Sequence, residues 1–167
     1  CVDRHAETQP NEIAVIWEGD DTSKNKTYTY KELKSEVSKF ANVLKKLGVR
    51  KGDVVTIYLT MIPEVAFAML ACARIGAIHS VIFGGFAPES IAGRIKDCKS
   101  QFVITADEGV RGGKIIPLKK YINTALESCD SSIKTLVIRY TNTQAELHKD
   151  NNFYYDELIK EVDDQCE

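Results

Sequence analysis

Two glycine-containing stretches carry the residues of this sequence that could do chemistry. In residues 108–114, Arg111 and Lys114 stand on either side of two glycines. A guanidinium can hold a phosphate through two hydrogen bonds, and glycines let backbone N–H groups approach a ligand. The stretch also precedes a predicted helix, whose N-terminus would favour an anion. It therefore predicts an anion site, although an ordinary solvated loop with basic side chains would have the same composition.

The second stretch is the run Phe83-Gly84-Gly85-Phe86, which directly follows an apolar, strand-like segment. Consecutive glycines allow an unusual backbone path and a close approach of a ligand to the main chain. The simpler interpretation is a tight turn between a strand and a helix. Neither stretch has the spacing of a dinucleotide fingerprint or of a P-loop, so the sequence does not indicate a triphosphate cradle.

The other reactive residue types form no catalytic or metal-binding pattern. His79 lies in an apolar run, where a hydrogen-bonded structural role is favoured, and His148 lies in a polar segment. The five cysteines contain no Cys-x-x-Cys pair, so neither a zinc site nor a disulfide framework is indicated. We expect Cys72, Cys98 and Cys129 to pack as small hydrophobic residues in a protein of the reducing cytoplasm.

Strand-like and helix-like patterns alternate along the chain. Thr29 and Glu32 have the spacing of a capping box, and the apolar residues that follow at intervals of three and four predict a helix ending at Gly48. The continuous apolar run 54–59 is typical of a strand covered on both faces. Further strands are predicted over residues 77–83, 101–105 and 135–140, and further helices from Pro63, from Pro88 and around residues 118–126.

This alternation predicts an α/β fold with a mostly parallel sheet and helices on both faces. We divide the chain into a helix and β-hairpin lead-in (1–29), alternating β/α units (30–140), and a polar loop with a short helix over 153–162 (141–167). Within the middle part, residues 107–113 are predicted to be a loop. Ligands of such sheets bind beyond the carboxyl ends of the strands, which is where both glycine stretches fall.

The overall composition is that of an ordinary globular chain. Of its 167 residues 44% are hydrophobic and 28% are charged, and the formal net charge is -2. This charge argues against a nucleic-acid partner, because such proteins usually carry a basic excess. The longest apolar stretch, residues 65–78, is interrupted by Arg74 and is shorter than the roughly 20 residues that span a bilayer, so no membrane partner is predicted.

Several long blocks of the sequence resemble the acetyl-CoA synthetases of the adenylate-forming superfamily. The most distinctive block is HSVIFGGF at residues 79–86, which general acyl-CoA synthetases and peptide-synthetase adenylation domains do not share. The resemblance runs from the first residue to about Lys120 and weakens towards the carboxyl end. The other matching blocks are residues 1–5, 17–20, 51–55, 62–64, 69–77, 92–95 and 104–111.

The resemblance implies a ligase that acts in two steps. Acetate and ATP, accompanied by Mg²⁺, would give acetyl-adenylate and pyrophosphate, and the CoA thiol would then give acetyl-CoA and AMP. The phosphate loop, the acetate pocket and the mobile lid of the family have no match here, and the chain begins at Cys1 without a methionine. We therefore expect an amino-terminal fragment that is inactive without the remainder of its parent chain and that can self-associate through uncovered surfaces.

The resemblance also assigns the two glycine stretches to the CoA site. Arg111 would lie near the 3′-phosphate and adenine, and family members often have arginine where this chain has Lys114, which keeps the charge but loses planar bidentate contact. The residues that match the CoA-binding positions of the family are Arg111, Gly112, Gly113, Lys114, Phe83, Gly84, Gly85 and Ile116.

Two alternatives remain open from the sequence. The acyl pocket lies outside the chain, so the parent could be a propionyl-CoA or acetoacetyl-CoA synthetase. A protein of another class, a non-catalytic domain that keeps the fold and a CoA-binding or interaction surface, would also fit these residues.

Overall fold

A computed structural model describes residues 2–144 and 151–167 of the chain. Cys1 and residues 145–150, which include His148, lie outside the described residues. The strands are β1 (Ile13–Trp17), β2 (Lys26–Thr29), β3 (Val54–Leu59), β4 (Ile78–Phe83), β5 (Phe102–Ala106), β6 (Gly109–Arg111), β7 (Lys114–Ile116), β8 (Lys134–Ile138) and β9 (Asn152–Tyr154). The helices are α1 (Val2–Thr8), α2 (Tyr30–Leu47), α3 (Pro63–Ile75), α4 (Pro88–Asp97), α5 (Leu118–Leu126) and α6 (Tyr155–Leu158), with 3₁₀ turns at Thr22–Lys24 and Ile159–Glu161.

The central layer is a parallel sheet with the strand order β4-β3-β5-β8-β9. From β3 the chain passes through α3 to β4 on one side, and from β4 it passes through α4 back across β3 to β5. Because such crossovers are right-handed, α3 and α4 must lie on opposite faces of the sheet. The connection from β5 through α5 to β8 crosses the sheet in the same direction as the connection through α4, so α5 lies on the same face as α4 and packs against it. Helix α2 packs against α3 on the other face. The predicted parallel α/β sheet with helices on both faces is confirmed.

Helix α2 shows how local sequence determines an element. The Thr29 hydroxyl accepts a hydrogen bond from the Glu32 N–H at 3.3 Å, and the Glu32 carboxylate accepts one from the Thr29 N–H at 2.8 Å, so the predicted capping box is present. The helix buries Val37, Phe40 and six other residues, and it packs against α3, α1 and the strands β1 and β2. It therefore begins at a reciprocal cap and owes most of its stability to one apolar face.

Strand β3 is the most enclosed strand of the sheet. Five of its six residues are buried, including Thr56 and Tyr58, because helices cover both of its faces. The predicted burial of this run is confirmed.

Residues 107–113 do not form the predicted loop. Strands β6 and β7 pair in antiparallel register, with Arg111 opposite Lys114, and only Gly112 and Gly113 lie between them. Both glycines have positive φ, 57° and 73°, as the two central residues of a tight hairpin turn require. Helix α5 begins only at Leu118, so the Gly-Gly turn is not at a helix N-terminus and gains no dipole from it.

The carboxyl-terminal segment also differs from the prediction of one helix over 153–162. Phe153 and Tyr154 belong to β9, which pairs in parallel with Leu136 and Val137 of β8. Helix α6 is only four residues long and continues into a 3₁₀ turn. Aromatic residues with strand propensity complete the sheet at this edge, and this outweighs the local helical pattern.

The other edge strand, β4, is more exposed than its apolar sequence predicts. Ile78 and Val81 are 56% and 45% exposed, and His79 is exposed rather than buried in the interior. The reason is position, since β4 has only one neighbouring strand. Among residues 2–144 and 151–167, no helix combines the length and the apolar character needed to cross a membrane.

The cap at the end of α2 gives a first test of the fold. Gly48 has φ of 100°, a left-handed conformation that disfavours any Cβ, so Gly48→Ala should lower the free energy of unfolding by about 1 kcal/mol. Gly93 lies inside α4, and a Cβ there meets nothing within 4 Å, so Gly93→Ala should raise it by about 0.5–1 kcal/mol. Urea unfolding followed by circular dichroism measures both, and effects of equal sign would contradict the assigned cap.

Candidate functional site

The strand connections locate one crevice at the carboxyl edge of the sheet. In open parallel sheets, ligands bind between two adjacent strands whose connections leave in opposite directions, a position called the switch point of the sheet. Here those strands are β3, which leads to α3 on one face, and β5, which leads towards α5 on the other. The crevice therefore opens at Thr60, which follows β3, and at the hairpin β6–β7, which follows β5.

The turns after β4 and β5 touch the end of β3 too closely to allow side chains at the contacts. A Cβ on Gly84 would lie 2.6 Å from the Leu59 carbonyl oxygen. A Cβ on Gly109 would lie 2.9 Å from Thr60 Oγ1 and would overlap the Thr60 methyl group. Because carbon and oxygen atoms cannot approach so closely, both positions require glycine. The two glycines bring three separate loops together at one point.

A buried tyrosine hydroxyl holds the Phe83–Phe86 turn in place. Tyr58, on β3, accepts a hydrogen bond from the Gly85 N–H at 3.2 Å and donates one to the Phe86 carbonyl at 3.0 Å. Burial raises the pKa of the Tyr58 hydroxyl, which keeps it protonated and able to donate. Tyr58 is a site residue that sequence reasoning missed, because a tyrosine within an apolar strand gives no signal of its hydrogen-bond partners.

The structure brings the two glycine stretches into direct contact. The guanidinium carbon of Arg111 lies 4.9 Å from the centroid of the Phe83 ring, within the range of a cation–π interaction. Arg111 is exposed and makes no ion pair within the described part of the chain. Its charge is therefore oriented by the ring and available to an anion from solvent.

The turn of the hairpin is less open to a ligand than its sequence predicts. The Gly113 N–H donates a hydrogen bond to the Asp20 carboxylate at 3.1 Å. Asp20 comes from the loop between β1 and β2, which thereby lies against the hairpin. The amide of Gly113 is thus already occupied, and contact with an anion falls mainly to Arg111 and to the exposed Lys114 opposite it.

A cavity of about 260 Å³ lies in the crevice. Trp17 forms one side, and its Nε1–H donates to the Met61 carbonyl at 2.6 Å, which fixes the indole over the end of β3. The lining residues are Trp17, Glu18, Gly19, Asp20, Leu59, Thr60, Met61, Ile62, Phe83, Gly84, Val110, Arg111 and Tyr140. Three aromatic faces and one guanidinium suit a flat ring that carries an anionic group.

A second cavity of about 640 Å³ continues from the first past Trp17 and Tyr140. Its wall contains Glu64, in the first turn of α3, and burial raises the pKa of this carboxyl group. Lys24 and Lys26 also line it. Among the described residues, neither cavity is lined by a histidine or a cysteine.

The structure groups only part of the residues selected from the sequence. Phe83, Gly84 and Arg111 line the first cavity together. The remaining members, Gly85, Gly112, Gly113, Lys114 and Ile116, do not line it. Ile116 instead packs, partly buried, against the hydrophobic core.

Fold and cavity together define an open α/β domain with a small-molecule pocket at its switch point. The family model described as "AMP-binding enzyme" matches residues 2–165. The chain belongs to this family of AMP-binding enzymes.

Relatives and solved structures agree with that family. Acetyl-coenzyme A synthetase of Xanthobacter autotrophicus is 53% identical over 167 residues, and the one of Gamma-proteobacterium EBAC31A08 is 55% identical over 166 residues. Each alignment covers 99% of this chain and 26% of the relative, so the chain spans about a quarter of the length of these proteins. Acetoacetyl-CoA synthetase from Streptomyces lividans has a similar structure, with a TM-score of 0.85 and 26% identity over 97% of this chain and 24% of that one.

The Tyr58 hydroxyl gives a test of how the site is held. Tyr58→Phe should lower the free energy of unfolding by about 1 kcal/mol, because both hydrogen bonds to the Phe83–Phe86 turn are lost. Tyr155→Phe is the matched control, since the buried Tyr155 hydroxyl has no partner among the described residues, and its loss should cost nothing. Urea unfolding compares the two, and an equal cost would show that the Tyr58 bonds contribute nothing.

Proposed function

We propose that this chain is part of an AMP-forming acetyl-CoA synthetase, which converts acetate, ATP and CoA to acetyl-CoA, AMP and pyrophosphate through acetyl-adenylate. The curated relatives at 53% and 55% identity carry this name, and they match the chain along 99% of its length. Acetate is favoured over acetoacetate because the acetoacetyl-CoA synthetase is only 26% identical. Mg²⁺ would accompany ATP, and the cytoplasmic location expected from the cysteine pattern stays a prediction.

We propose further that the chain supplies part of the CoA site of this enzyme. The observation that carries the proposal is the contact of Arg111 with the Phe83 ring, 4.9 Å from guanidinium carbon to centroid, at the switch point of the sheet. A guanidinium binds a phosphate through paired hydrogen bonds, and an aromatic ring stacks on a base. CoA offers both groups at its nucleotide end.

The other residues of the proposed site act around this pair. Lys114 stands opposite Arg111 in the hairpin and adds a second positive charge. Gly84 and Gly85 shape the turn that carries Phe83, while Gly112 and Gly113 shape the turn that carries Arg111. Ile116 would contribute only through its packing beneath the hairpin, which sets the height of β7 above the core.

In the full-length enzyme, a substitution of Arg111 should impair CoA binding and leave adenylation almost unchanged. Arg111→Ala should raise the KM for CoA by about tenfold or more and leave acetate-dependent ATP–pyrophosphate exchange within about twofold, because the exchange reaction needs no CoA. Arg50→Ala is the matched control, since Arg50 precedes β3 at the opposite edge of the sheet. Equal loss of both half-reactions would contradict the proposed role, and no exchange in the wild-type protein would favour a non-catalytic domain.

The ligand group that Arg111 recognises can be tested separately. If Arg111 binds the 3′-phosphate, the wild-type enzyme should have a KM for dephospho-CoA about tenfold or more above that for CoA. In Arg111→Ala this ratio should fall towards one, because the group that distinguishes the ligands is gone. A ratio unchanged by the substitution, measured by steady-state kinetics with both ligands, would assign the phosphate to other residues.

A further inference from the structure

A buried carboxylate lies at the carboxyl end of β5, beside the proposed site. Asp107 is only 3% exposed. Its Oδ1 accepts hydrogen bonds from the N–H groups of Glu108, Tyr140 and Thr141 at 2.8, 2.8 and 3.2 Å, and its Oδ2 accepts one from the Thr143 N–H at 3.1 Å. Four backbone N–H donors therefore satisfy both oxygens of this buried side chain.

The neighbouring carboxylate, Glu108, binds the same segment after β8 that donates to Asp107. Glu108 accepts hydrogen bonds from the hydroxyls of Thr141 and Thr143, both at 2.8 Å. Together, Asp107 and Glu108 bind the segment 140–143, which leaves β8, to the end of β5. We call these two carboxylates and this segment the acidic clamp.

The acidic clamp joins two walls of the cavity. On one side, Gly109 follows the carboxylates and begins the hairpin, on which Val110 and Arg111 face the cavity. On the other side, Tyr140 lines the same cavity, and its N–H is one of the four donors to Asp107. The positions of Arg111 and Tyr140 are therefore both tied to one side chain.

Only a carboxylate meets the geometry of this connection. All four groups that face Asp107 are N–H donors, so both side-chain oxygens must accept. In asparagine one oxygen is replaced by an NH₂ group, which would face an N–H donor and leave it without an acceptor. Even with its oxygen in the place of Oδ1, asparagine would lose the bond from the Thr143 N–H and would place two donors against each other, so segment 140–143 would be held less firmly at the end of β5.

We propose that Asp107 is a positioning residue for CoA, which holds Arg111 and Tyr140 at the spacing that the bound nucleotide requires. The inference rests on the proposed CoA site and assigns no chemical step to Asp107. A misplacement of about 1 Å in a binding group can reduce a rate or an affinity by up to about a hundredfold, so loss of the clamp should affect CoA much more than acetate or ATP.

Ser100 offers a matched control, because it is another buried polar residue that joins strands of the same sheet. It is 1% exposed, its Oγ accepts from the Thr56 N–H at 3.1 Å, and the carbonyl oxygens of Val54 and Phe102 lie 3.0 and 2.8 Å away. Ser100 precedes β5, whereas Asp107 follows it. Ser100→Ala should therefore destabilise the fold without moving the proposed CoA site.

The test compares Asp107→Asn, Ser100→Ala and Arg111→Ala in the full-length enzyme. Asp107→Asn should raise the KM for CoA by about tenfold or more with pyrophosphate exchange within about twofold, and it should speed hydrogen exchange at the amides of residues 140–143. Ser100→Ala should change neither. If Asp107→Asn does not fold, Thr141→Val with Thr143→Val removes the Glu108 bonds, together with the contact between the two threonine hydroxyls, and should raise the KM for CoA about threefold.

The outcomes separate this inference from the proposed function. An unchanged KM for CoA in Asp107→Asn, or in its replacement Thr141→Val with Thr143→Val, overturns the role of the clamp if the KM is raised in Arg111→Ala. The CoA site itself then stands. An unchanged KM in Arg111→Ala overturns the CoA site itself. Equal rises in the KM values for CoA, ATP and acetate in Asp107→Asn would show a general structural role and would also overturn the inference.

Discussion

The close contact of three loops at the carboxyl end of β3 is the constraint on which the site depends. Gly84 rests on the Leu59 carbonyl and Gly109 rests on Thr60, at distances that leave no room for a Cβ. A Cβ on Gly84 would meet backbone atoms and would have to move the turn, and a Cβ on Gly109 would have to displace the buried Thr60 side chain. Packing at this point therefore sets where Phe83 and Arg111 lie relative to each other.

That constraint gives the site its order before a ligand arrives. A cation–π contact at an exposed position contributes only about 0.5–1 kcal/mol, which alone would not hold a long side chain. The hairpin and the turn pinned by Tyr58 bring the two groups together, so the contact needs little further energy. Immobilising a flexible side chain on binding costs about 0.5–1.5 kcal/mol, and an Arg111 that already rests on Phe83 has lost part of this freedom.

Local rules predicted most elements, and tertiary hydrogen bonds explain what was missed. The cap at Thr29 and the end of α2 at Gly48 depend on residues within one turn, which sequence shows directly. Composition also singled out the glycine stretches and Arg111, of which Phe83, Gly84 and Arg111 line one cavity. The hairpin was missed because β6 and β7 are each only three residues long, too short to show an alternating pattern in the sequence. Asp107 gave no signal either, because three of its four donors follow β8, more than 30 residues further along the chain.

The charges around the cavity favour a ligand with two kinds of group rather than any anion. Glu18 and Asp20 line the same cavity as Arg111, and the net charge of the chain is -2, so no broad positive field attracts anions from a distance. A small ion such as free phosphate would meet one guanidinium and two nearby carboxylates. A ring with a phosphate would gain contact with Phe83, Trp17 or Tyr140 as well, and short-range stacking would offset the repulsion. At the proposed CoA site, the expected source of selectivity is therefore the combination of an aromatic face and one oriented guanidinium.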